Sequence, residues 1–294
     1  MKKPETSVSG WNSGRRTRIR TLDPLLPKQV RYQAALHADK LYSNRMSTPQ
    51  IQLPWLEPGD LFPSVEKAWN LASDAPGLLA AGADLSVPTL LQAYSNGIFP
   101  WFSEGQPILW WSTEPRMVLQ IERFQLHRSL KRKIQKFVRE PRFEIRIDTA
   151  FRQVIEACAN SDRKGHPGTW IVPDMVNAYI HLHEAGHAHS VETWIDGQLA
   201  GGLYCVAIGR AVYGESMFTR TPDGSKIALA ALVAHCREHA VAMVDCQQET
   251  SHLASLGAAP IARKDFVLRT QEACRMPPIV WEFSPLYWSH LLGH

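Results

Sequence analysis

The chain has 294 residues, of which 45% are hydrophobic and 20% are charged, close to the average for soluble globular proteins. This composition argues against wholesale disorder, a collagen-like repeat and a coiled coil, and the length fits one large domain or a medium domain with a small one. The formal net charge of +4 is only a weak indication of an acidic partner such as nucleic acid.

The positive charge lies in two segments. Residues 1–45 hold ten basic residues against three acidic ones, and the segment 123–146 holds nine against two, so each carries a net charge of +7. The rest of the chain therefore carries −10. A polyanion, if one is bound, is expected at these basic segments.

Residues 1–45 show no sustained apolar periodicity, and arginine recurs at Arg16, Arg18 and Arg20. This pattern is typical of a solvated tail. We predict that the segment is a disordered extension, or that translation starts at Met46, in which case the net charge becomes −3. An organelle transit peptide is the less favoured alternative for an arginine-rich, acid-poor N-terminus.

The five cysteines are scattered and form no C-x-x-C pair. This usage favours a reduced, cytoplasmic compartment over a disulfide framework, a redox couple or a zinc site. No run of 18 apolar residues and no apolar segment near the N-terminus is present, so neither a membrane span nor a secretory signal is predicted.

Residues 46–115 are predicted to form a small N-terminal domain, a helical or mixed lobe with short helices and loops. Ser64 and Ser86 occupy helix N-cap positions, and the second helix is expected to stop at Asn96-Gly97. The aromatic-rich loop 98–111 follows. Such a cluster favours a packed wedge between two lobes over a stacking surface, although the two roles are compatible.

Residues 116–294 are predicted to form a larger domain with a C-terminal tail. Apolar periodicity predicts helices over 126–138, 149–158, 173–184, 225–240 and 251–256, and strands over 143–147, 189–195, 199–208, 210–213 and 242–245. Asp196-Gly197 is a strong hairpin signal. A meander, then a helix and a further strand, predicts an α+β fold with a mixed, mainly antiparallel sheet.

The residues His183-Glu184-Ala185-Gly186-His187 match the H-E-x-x-H pattern, which on a helix places two zinc ligands one turn apart. Gly186 interrupts the helix, and the residues from His189 onward alternate as a strand does. No obvious third ligand follows. We therefore expect a helix end here and no metal site.

The predicted helix 126–138 is amphipathic. Its apolar residues are Leu130, Ile134, Phe137 and Val138, and its cations are Arg128, Lys131, Arg132, Lys133, Lys136 and the following Arg139. Such a run is usually an ordinary solvated face. Because the charge is concentrated beside an acidic body, contact with nucleic-acid phosphates is slightly favoured.

Polar residues close two apolar strands, at Glu215 and at Asp245 with Gln247. Such groups are costly to bury and tend to line a site, so together they predict a polar centre. No G-x-G-x-x-G or Walker A loop is present, and Gly214-Glu215-Ser216 lacks the second glycine of a nucleophile elbow.

Eight strings in one order carry a family resemblance: GLLA (77–80), GIFPWF (97–102), PILWWS (107–112), GTWI (168–171), HAHSVE (187–192), GESMF (214–218), DCQ (245–247) and ASLGA (254–258). They extend over about residues 62–266. On these strings the sequence resembles the leucyl/phenylalanyl-tRNA–protein transferases. Residues 1–45 have no counterpart in the family pattern.

The resemblance implies a small N-terminal lobe on a GNAT-like acyltransferase domain. It implies an aminoacyltransferase that moves Leu, Phe and, less efficiently, Met from aminoacyl-tRNA to the N-terminal Arg or Lys of an acceptor protein, which then enters N-degron (N-end rule) degradation. The aminoacyl ester is already activated, so the enzyme mainly positions groups, and neither a metal nor a cofactor is expected.

The resemblance also implies residue roles. Asp245 and Gln247 match the catalytic pair, with Gln247 drawing a proton from the attacking amine and Asp245 polarising it. An amide is a poor base, so Asp245 or the tRNA ribose is left as a possible partner in proton transfer. Glu215 matches the acidic residue that orients the cationic acceptor N-terminus. Trp101 and Trp170 match tryptophans that stack on the terminal adenosine.

Five apolar positions match the pocket for the transferred side chain: Leu203, Tyr213, Leu232, Cys236 and Val244. Leu232 and Cys236 stand where the family pattern has aromatic residues, so the side-chain preference stays open. Four cations match the helix that binds the tRNA acceptor stem: Arg128, Lys131, Arg132 and Lys136. In that helix Gln135 replaces an expected cation.

Two alternatives belong to other functional classes. A GNAT-type N-acetyltransferase using acetyl-CoA is disfavoured because no glycine-rich pyrophosphate turn is present. A non-catalytic RNA-binding module is supported by the basic helix alone.

Overall fold

The structure is a computed structural model and describes residues 53–161 and 171–293. The segment 1–45, predicted to be an extension, lies outside the described residues.

The N-terminal part contains a sheet beside its helix, so of the two predicted forms, helical or mixed, the lobe has the mixed one. Its strands are β1 (Trp55–Leu56), β2 (Leu78–Gly82), β3 (Phe99–Pro100) and β4 (Leu109–Trp111), in the order β1-β2-β4-β3. The aromatic stretch supplies β3 and β4. Strands of two or three residues show no readable alternation, so their pairing is decided by tertiary contacts.

Two predicted helix starts in this part behave differently. Helix α1 (Val87–Ser95) begins after Ser86 and ends at Asn96, as predicted. The segment after Ser64 is only a 3-10 turn, Val65–Lys67, whose Glu66 N–H donates to the Ser64 hydroxyl.

The second sheet has seven strands in the order β11-β5-β10-β9-β8-β7-β6. The strands are β5 (Arg116–Gln120), β6 (Phe143–Ile147), β7 (Ala188–Ile195), β8 (Gln198–Ile208), β9 (Ala211–Thr219), β10 (Met243–Asp245) and β11 (Ala259–Ile261). All neighbours pair antiparallel except β9 and β10. The predicted α+β class with a mixed, mainly antiparallel sheet is therefore confirmed.

Most predicted elements of this part are present. The hairpin between β7 and β8 turns at Asp196 and Gly197, both with positive φ, as the dipeptide predicts. Strand β9 runs on to Thr219, beyond the predicted end at Tyr213, and neither β5 nor β11 was predicted.

The remaining helices lie on the two faces of the seven-stranded sheet. They are α2 (Arg128–Phe137), α3 (Phe151–Ala159), α4 (Pro173–Glu184), α5 (Gly224–Glu238), α6 (Ser251–Ser255), α7 (Arg263–Cys274) and α8 (Ser289–Leu292). Two further 3-10 turns span Ile121–Arg123 and Pro285–Trp288. Within the described ranges, no helix is long and apolar enough to cross a bilayer.

The sheet separates two hydrophobic cores, because successive strand residues point to opposite faces. Tyr204 of β8 lies in the core of α1, α3 and α4, whereas the next residue, Cys205, lies in the core of α2 and α5. We call these the α4 core and the α5 core. The α4 core also contains Trp110 of the small sheet, so both sheets share it. The domain limits 46–115 and 116–294 stay predictions.

Candidate active site

The polar centre forms where two parallel strands part. Strand β10 pairs with β9 only at Val244 with Val212 and at Asp245 with Tyr213, and β10 then ends. Two residues further along β9, Glu215 has no partner on β8, because the register passes from Cys205–Gly214 to Tyr204–Ser216. Such a bulge re-aims a side chain. The polar residues predicted from the sequence thus lie side by side, but only Asp245 ends its strand, because Glu215 lies at a bulge within β9.

Asp245 is held by an arginine that the sequence analysis missed. Arg116 donates from Nε to Asp245 Oδ1 at 2.8 Å and from Nη2 to Oδ2 at 2.7 Å. Arg116 is 0% exposed and Asp245 is 2% exposed. The guanidinium carbon lies 4.6 Å from the ring centroids of both Phe99 and Phe266. The ion pair and the two aromatic faces offset much of the cost of burying this charge, although Arg116 Nη1 has no hydrogen-bond partner among the described residues.

Gln247 follows Asp245 in a turn with a φ of +55°. Its N–H donates to Asp245 Oδ1 at 3.0 Å, and its carbonyl accepts from Thr113 Oγ1 at 3.0 Å. Its side-chain Nε2 lies 3.5 Å from Glu215 Oε1. The turn therefore brings the amide of Gln247 next to Glu215.

Glu215 is half-buried and accepts hydrogen bonds from two tyrosines. Tyr94 of α1 donates to Oε1 at 2.8 Å, and Tyr179 of α4 donates to Oε2 at 3.4 Å. The two tyrosine hydroxyls are also in contact with each other. Because each hydroxyl carries a single proton, both can donate to Glu215 only when neither donates to the other. Burial raises the pKa of both hydroxyls well above the usual value, so they remain donors at neutral pH.

Desolvation raises the pKa of Glu215 from 4.5 to about 8, against the opposing effect of the Tyr94 hydrogen bond, while the charge of Asp245 raises it further. A carboxyl group in this state is neutral in much of the population at pH 7 and ionises readily when a cation approaches. The site can therefore accept a cationic ligand beside an amide and a fixed aspartate.

Four residues of this centre were missed by the sequence analysis: Thr113, Arg116, Tyr94 and Tyr179. Arg116 could have been found from the sequence, because it is a charged residue at the start of the apolar run 116–119. An arginine in such a run needs a buried partner. The tyrosines gave no signal, because their side chains meet only through long-range packing.

Four of the five positions implied for the aminoacyl pocket lie together in the α5 core: Leu203, Leu232, Cys236 and Val244. Each is at most 3% exposed. Tyr213 lies instead in the α4 core, where its hydroxyl donates to the carbonyl of Tyr94 at 2.9 Å. The structure thus brings four of these residues together and separates the fifth, and the pocket stays a prediction.

Helix α2 has the amphipathic form that the sequence predicts. Leu130, Ile134 and Phe137 are buried in the α5 core, whereas Val138 is 43% exposed and does not belong to the buried face, a correction to the sequence analysis. The helix begins two residues later than predicted.

The predicted tRNA-contacting cations of α2 lie at its surface. Arg128, Arg132 and Lys136 are exposed, and Lys131 is half-buried. Lys136 lies 3.7 Å from Glu140. Beside α2 lies a cavity of about 100 Å³, whose lining includes Lys133 and Lys226, both paired with Asp223.

Of the two predicted stacking tryptophans, Trp101 lies among the described residues. Trp101 is half-buried, and its ring centroid lies 5.4 Å from that of Trp111 in a tilted arrangement. Its carbonyl accepts from the Trp111 indole at 2.6 Å. Trp170 lies outside the described residues.

The H-E-x-x-H string spans the end of α4, as predicted: the last helical residue is Glu184, and Gly186 has a φ of +79°. His183 stacks on Phe151 with ring centroids 4.2 Å apart, and its Nδ1 lies 2.7 Å from the carbonyl oxygen of Ala188. Across 53–161 and 171–293, no group of three or more His, Cys, Asp or Glu side chains is arranged to hold a metal ion.

Comparison with known proteins relates the chain to one family. Residues 118–271 match the family model described as leucyl/phenylalanyl-tRNA protein transferase, and residues 83–114 match the model of its N-terminal domain. A transferase of that name from Polaromonas sp. is 60% identical over 240 residues, which is 82% of this chain and 94% of that protein. Another, from Albidiferax ferrireducens, is 59% identical over 247 residues, which is 84% of this chain and 97% of that protein. One from Burkholderia pseudomallei is 55% identical over 82% of this chain and 94% of its own.

Among solved structures, L-PGS from Bacillus licheniformis matches 67% of each chain at 11% identity and a TM-score of 0.32.

The family model and these relatives define an enzyme of the aminoacyltransferase class. The chain belongs to the leucyl/phenylalanyl-tRNA–protein transferase family.

Proposed function

We propose that this enzyme transfers Leu, Phe and, less efficiently, Met from aminoacyl-tRNA to the N-terminal Arg or Lys of acceptor proteins in the cytoplasm, and so marks them for N-degron degradation. The observation that carries the proposal is the half-buried Glu215, held by Tyr94 and Tyr179 next to the amide of Gln247. It is a site for a cation beside a group that can orient an amine.

The reaction is aminolysis of an ester. The acceptor α-amine attacks the aminoacyl carbonyl carbon, a new C–N bond forms, the C–O bond to the tRNA 3′ oxygen breaks, and the amine proton ends on that oxygen. Because the ester is activated, positioning of the amine contributes most of the rate. The proposed reaction needs no covalent intermediate on the enzyme.

Gln247 is proposed to orient the amine. Its Nε2 faces Glu215, which leaves the amide oxygen to accept a hydrogen bond from the attacking nitrogen. Asp245 already accepts hydrogen bonds from Arg116 and from the Gln247 N–H. The leaving 3′ oxygen is therefore the better final proton acceptor, and Asp245 acts by fixing Gln247.

Glu215 is proposed to select the acceptor. A guanidinium or ammonium group that displaces water beside this carboxyl stabilises its ionised form and gains a charge-assisted hydrogen bond. Neutral N-terminal side chains leave the desolvated carboxyl without that partner. This difference accounts for a preference for Arg and Lys.

The direct test mixes the protein with Leu-tRNA and a peptide that begins with Arg, and follows the peptide by mass spectrometry. We expect a mass gain of one leucyl residue, with no gain when the peptide begins with Gln. Transfer from acetyl-CoA would favour an N-acetyltransferase, and tRNA binding without any transfer would favour an RNA-binding module. Either result would overturn the proposal.

Helix α2 is proposed to contact tRNA phosphates. The double variant Arg128→Ala/Arg132→Ala should weaken aminoacyl-tRNA binding by about tenfold or more in 0.1 M salt and should reduce the slope of log affinity against log salt by about 1 to 2, since phosphate contacts release counterions. Fluorescence titration at several salt concentrations measures both quantities.

A matched control is Arg152→Ala, an exposed arginine of α3 on the other face of the sheet. We expect it to leave both the affinity and the slope unchanged. Equal losses in the control and in the α2 variant would contradict a contact specific to α2.

A further inference from the structure

The Gln247 turn has a backbone conformation that needs external support. A φ of +55° is unfavourable for a residue with a Cβ atom. The proposed role of Gln247 depends on this conformation, because it directs the amide toward Glu215. The contacts that hold the turn therefore bear on the reaction itself.

Two side chains form hydrogen bonds with the Gln247 turn, one at the end of β10 and one in the segment before β5. Asp245 accepts from the Gln247 N–H at 3.0 Å, and Thr113, just before β5, donates to the Gln247 carbonyl at 3.0 Å. The carbonyl also accepts from the Met117 N–H at 3.5 Å, so Thr113 makes the shorter of its two hydrogen bonds. Both polar groups of the Gln247 backbone are therefore used.

Asp245 can hold the Gln247 N–H in place only if its own carboxylate is held in place. Arg116 bonds both oxygens, and Oδ1 accepts from Arg116 and Gln247 together. The guanidinium carbon lies between two rings, that of Phe99 on β3 and that of Phe266 on α7. Arg116 is fully buried and acts on the turn through Asp245.

We propose that Arg116 and Thr113 are positioning residues for aminoacyl transfer, which hold the Gln247 turn in its reactive conformation. This inference rests on the proposed function. Lysine cannot replace Arg116 in this role, because an ammonium group lacks the planar fork that bonds both oxygens and packs between two rings.

The first test is Arg116→Lys, which keeps the charge and removes the fork. With saturating Leu-tRNA and Lys-starting peptide, we expect kcat to fall about 10- to 100-fold, while KM for both substrates changes less than threefold. Circular dichroism at the assay temperature confirms that the measured protein is folded.

The matched control is Arg263→Lys. Arg263 is also largely buried, with its side chain 14% exposed, and bonds the Ser112 carbonyl at 2.8 Å, but it contacts neither Asp245 nor Gln247. We expect kcat within threefold of the parent. An equal loss of kcat in both variants would show a general effect of burying lysine and would overturn the inference.

Thr113→Val tests the hydrogen bond to the Gln247 carbonyl. The risk to folding is small, since valine and threonine have nearly the same shape. We expect kcat to fall about 3- to 10-fold with unchanged KM. The control Thr193→Val removes a hydroxyl that donates to the Gly224 carbonyl at 2.9 Å, and kcat should not change.

A folded Arg116→Lys protein with parental kcat, or a Thr113→Val protein with parental kcat, overturns the inference. If the parent protein itself transfers nothing from Leu-tRNA, the proposed function fails instead, so the two failures are distinguishable.

Discussion

Asp245→Asn should lower kcat for leucyl transfer by about 100- to 1,000-fold, the usual range for loss of a preorganised polar contact in an active site. Asparagine offers Arg116 one oxygen and one NH₂ group in place of two oxygens, so the bidentate pair is lost and two donors face each other. The Gln247 N–H keeps an acceptor only when the amide oxygen takes the place of Oδ1, and that oxygen is no longer fixed by the second Arg116 bond. Single-turnover transfer to a Lys-starting peptide measures the effect.

Binding of aminoacyl-tRNA should be largely retained in this variant, because helix α2, which carries the exposed cations, packs against the α5 core, whereas Asp245 is held by Arg116, whose guanidinium carbon lies between Phe99 and Phe266 of the α4 core. Removing one member of a buried ion pair typically costs about 3 to 5 kcal/mol of stability, so the assay belongs well below the melting temperature of the variant. Asp245→Ala should show the same loss of turnover.

Asp148→Asn is the matched control. Asp148 also bonds a side chain and a backbone group, with Oδ2 2.7 Å from His189 Nδ1 and Oδ1 2.8 Å from the Ser190 nitrogen, but it has no contact with Gln247. We expect its kcat within threefold of the parent. A folded Asp245→Asn protein with parental kcat would remove Asp245 from the mechanism.

Glu215→Gln should abolish most of the preference for cationic acceptors. We expect kcat/KM for an Arg-starting peptide to fall about 100-fold or more, since a buried charge-assisted contact is replaced by a neutral one. The value for a Gln-starting peptide should change little. Competition between the two peptides, read by mass spectrometry, gives the ratio directly.

The same variant should change the pH dependence of acceptor binding. Since the pKa of Glu215 is about 8 in the free site, the KM for an Arg-starting peptide should fall as pH rises from 6 to 9, as the carboxyl ionises. In Glu215→Gln the part of this dependence that comes from the carboxyl should disappear. The acceptor α-amine, with a pKa of about 8, titrates in both proteins, so the difference between their profiles isolates Glu215.

Tyr94→Phe provides a second check on this assignment. The Tyr94 hydrogen bond lowers the pKa of Glu215, so its removal should move the KM profile to higher pH. A shift to lower pH, or equal profiles in the parent and in Glu215→Gln, would contradict the role given to Glu215.

Glu215 also links stability to pH. Its folded pKa of about 8 lies above the ordinary value of 4.5, so the folded state holds the proton more tightly, and the free energy of unfolding decreases as pH rises from about 4.5 through 8. Glutamine cannot ionise. Glu215→Gln should therefore be more stable than the parent at pH 9, by about 2 to 4 kcal/mol, and no more stable near pH 4.5.

Much of the larger domain follows from local pattern. The basic helix α2, the turn at Asp196-Gly197 and the end of α4 near Gly186 appear where the sequence predicts them. Each depends on neighbours within a few residues, through apolar periodicity or a backbone conformation that few residue types accept. The polar residues Glu215 and Asp245 are also visible in the sequence, since such groups are costly after an apolar run, although Glu215 lies within β9 and not at its end.

Only the tertiary structure decided how that polar centre is built. The sequence by itself provided Glu215, Asp245 and Gln247, but it gave no sign that Tyr94 reaches Glu215 across 121 residues or that Arg116 reaches Asp245 across 129. Short strands such as Phe99–Pro100 were hidden for the same reason. Contacts between distant segments are set by how the two sheets pack, and no local periodicity encodes that packing.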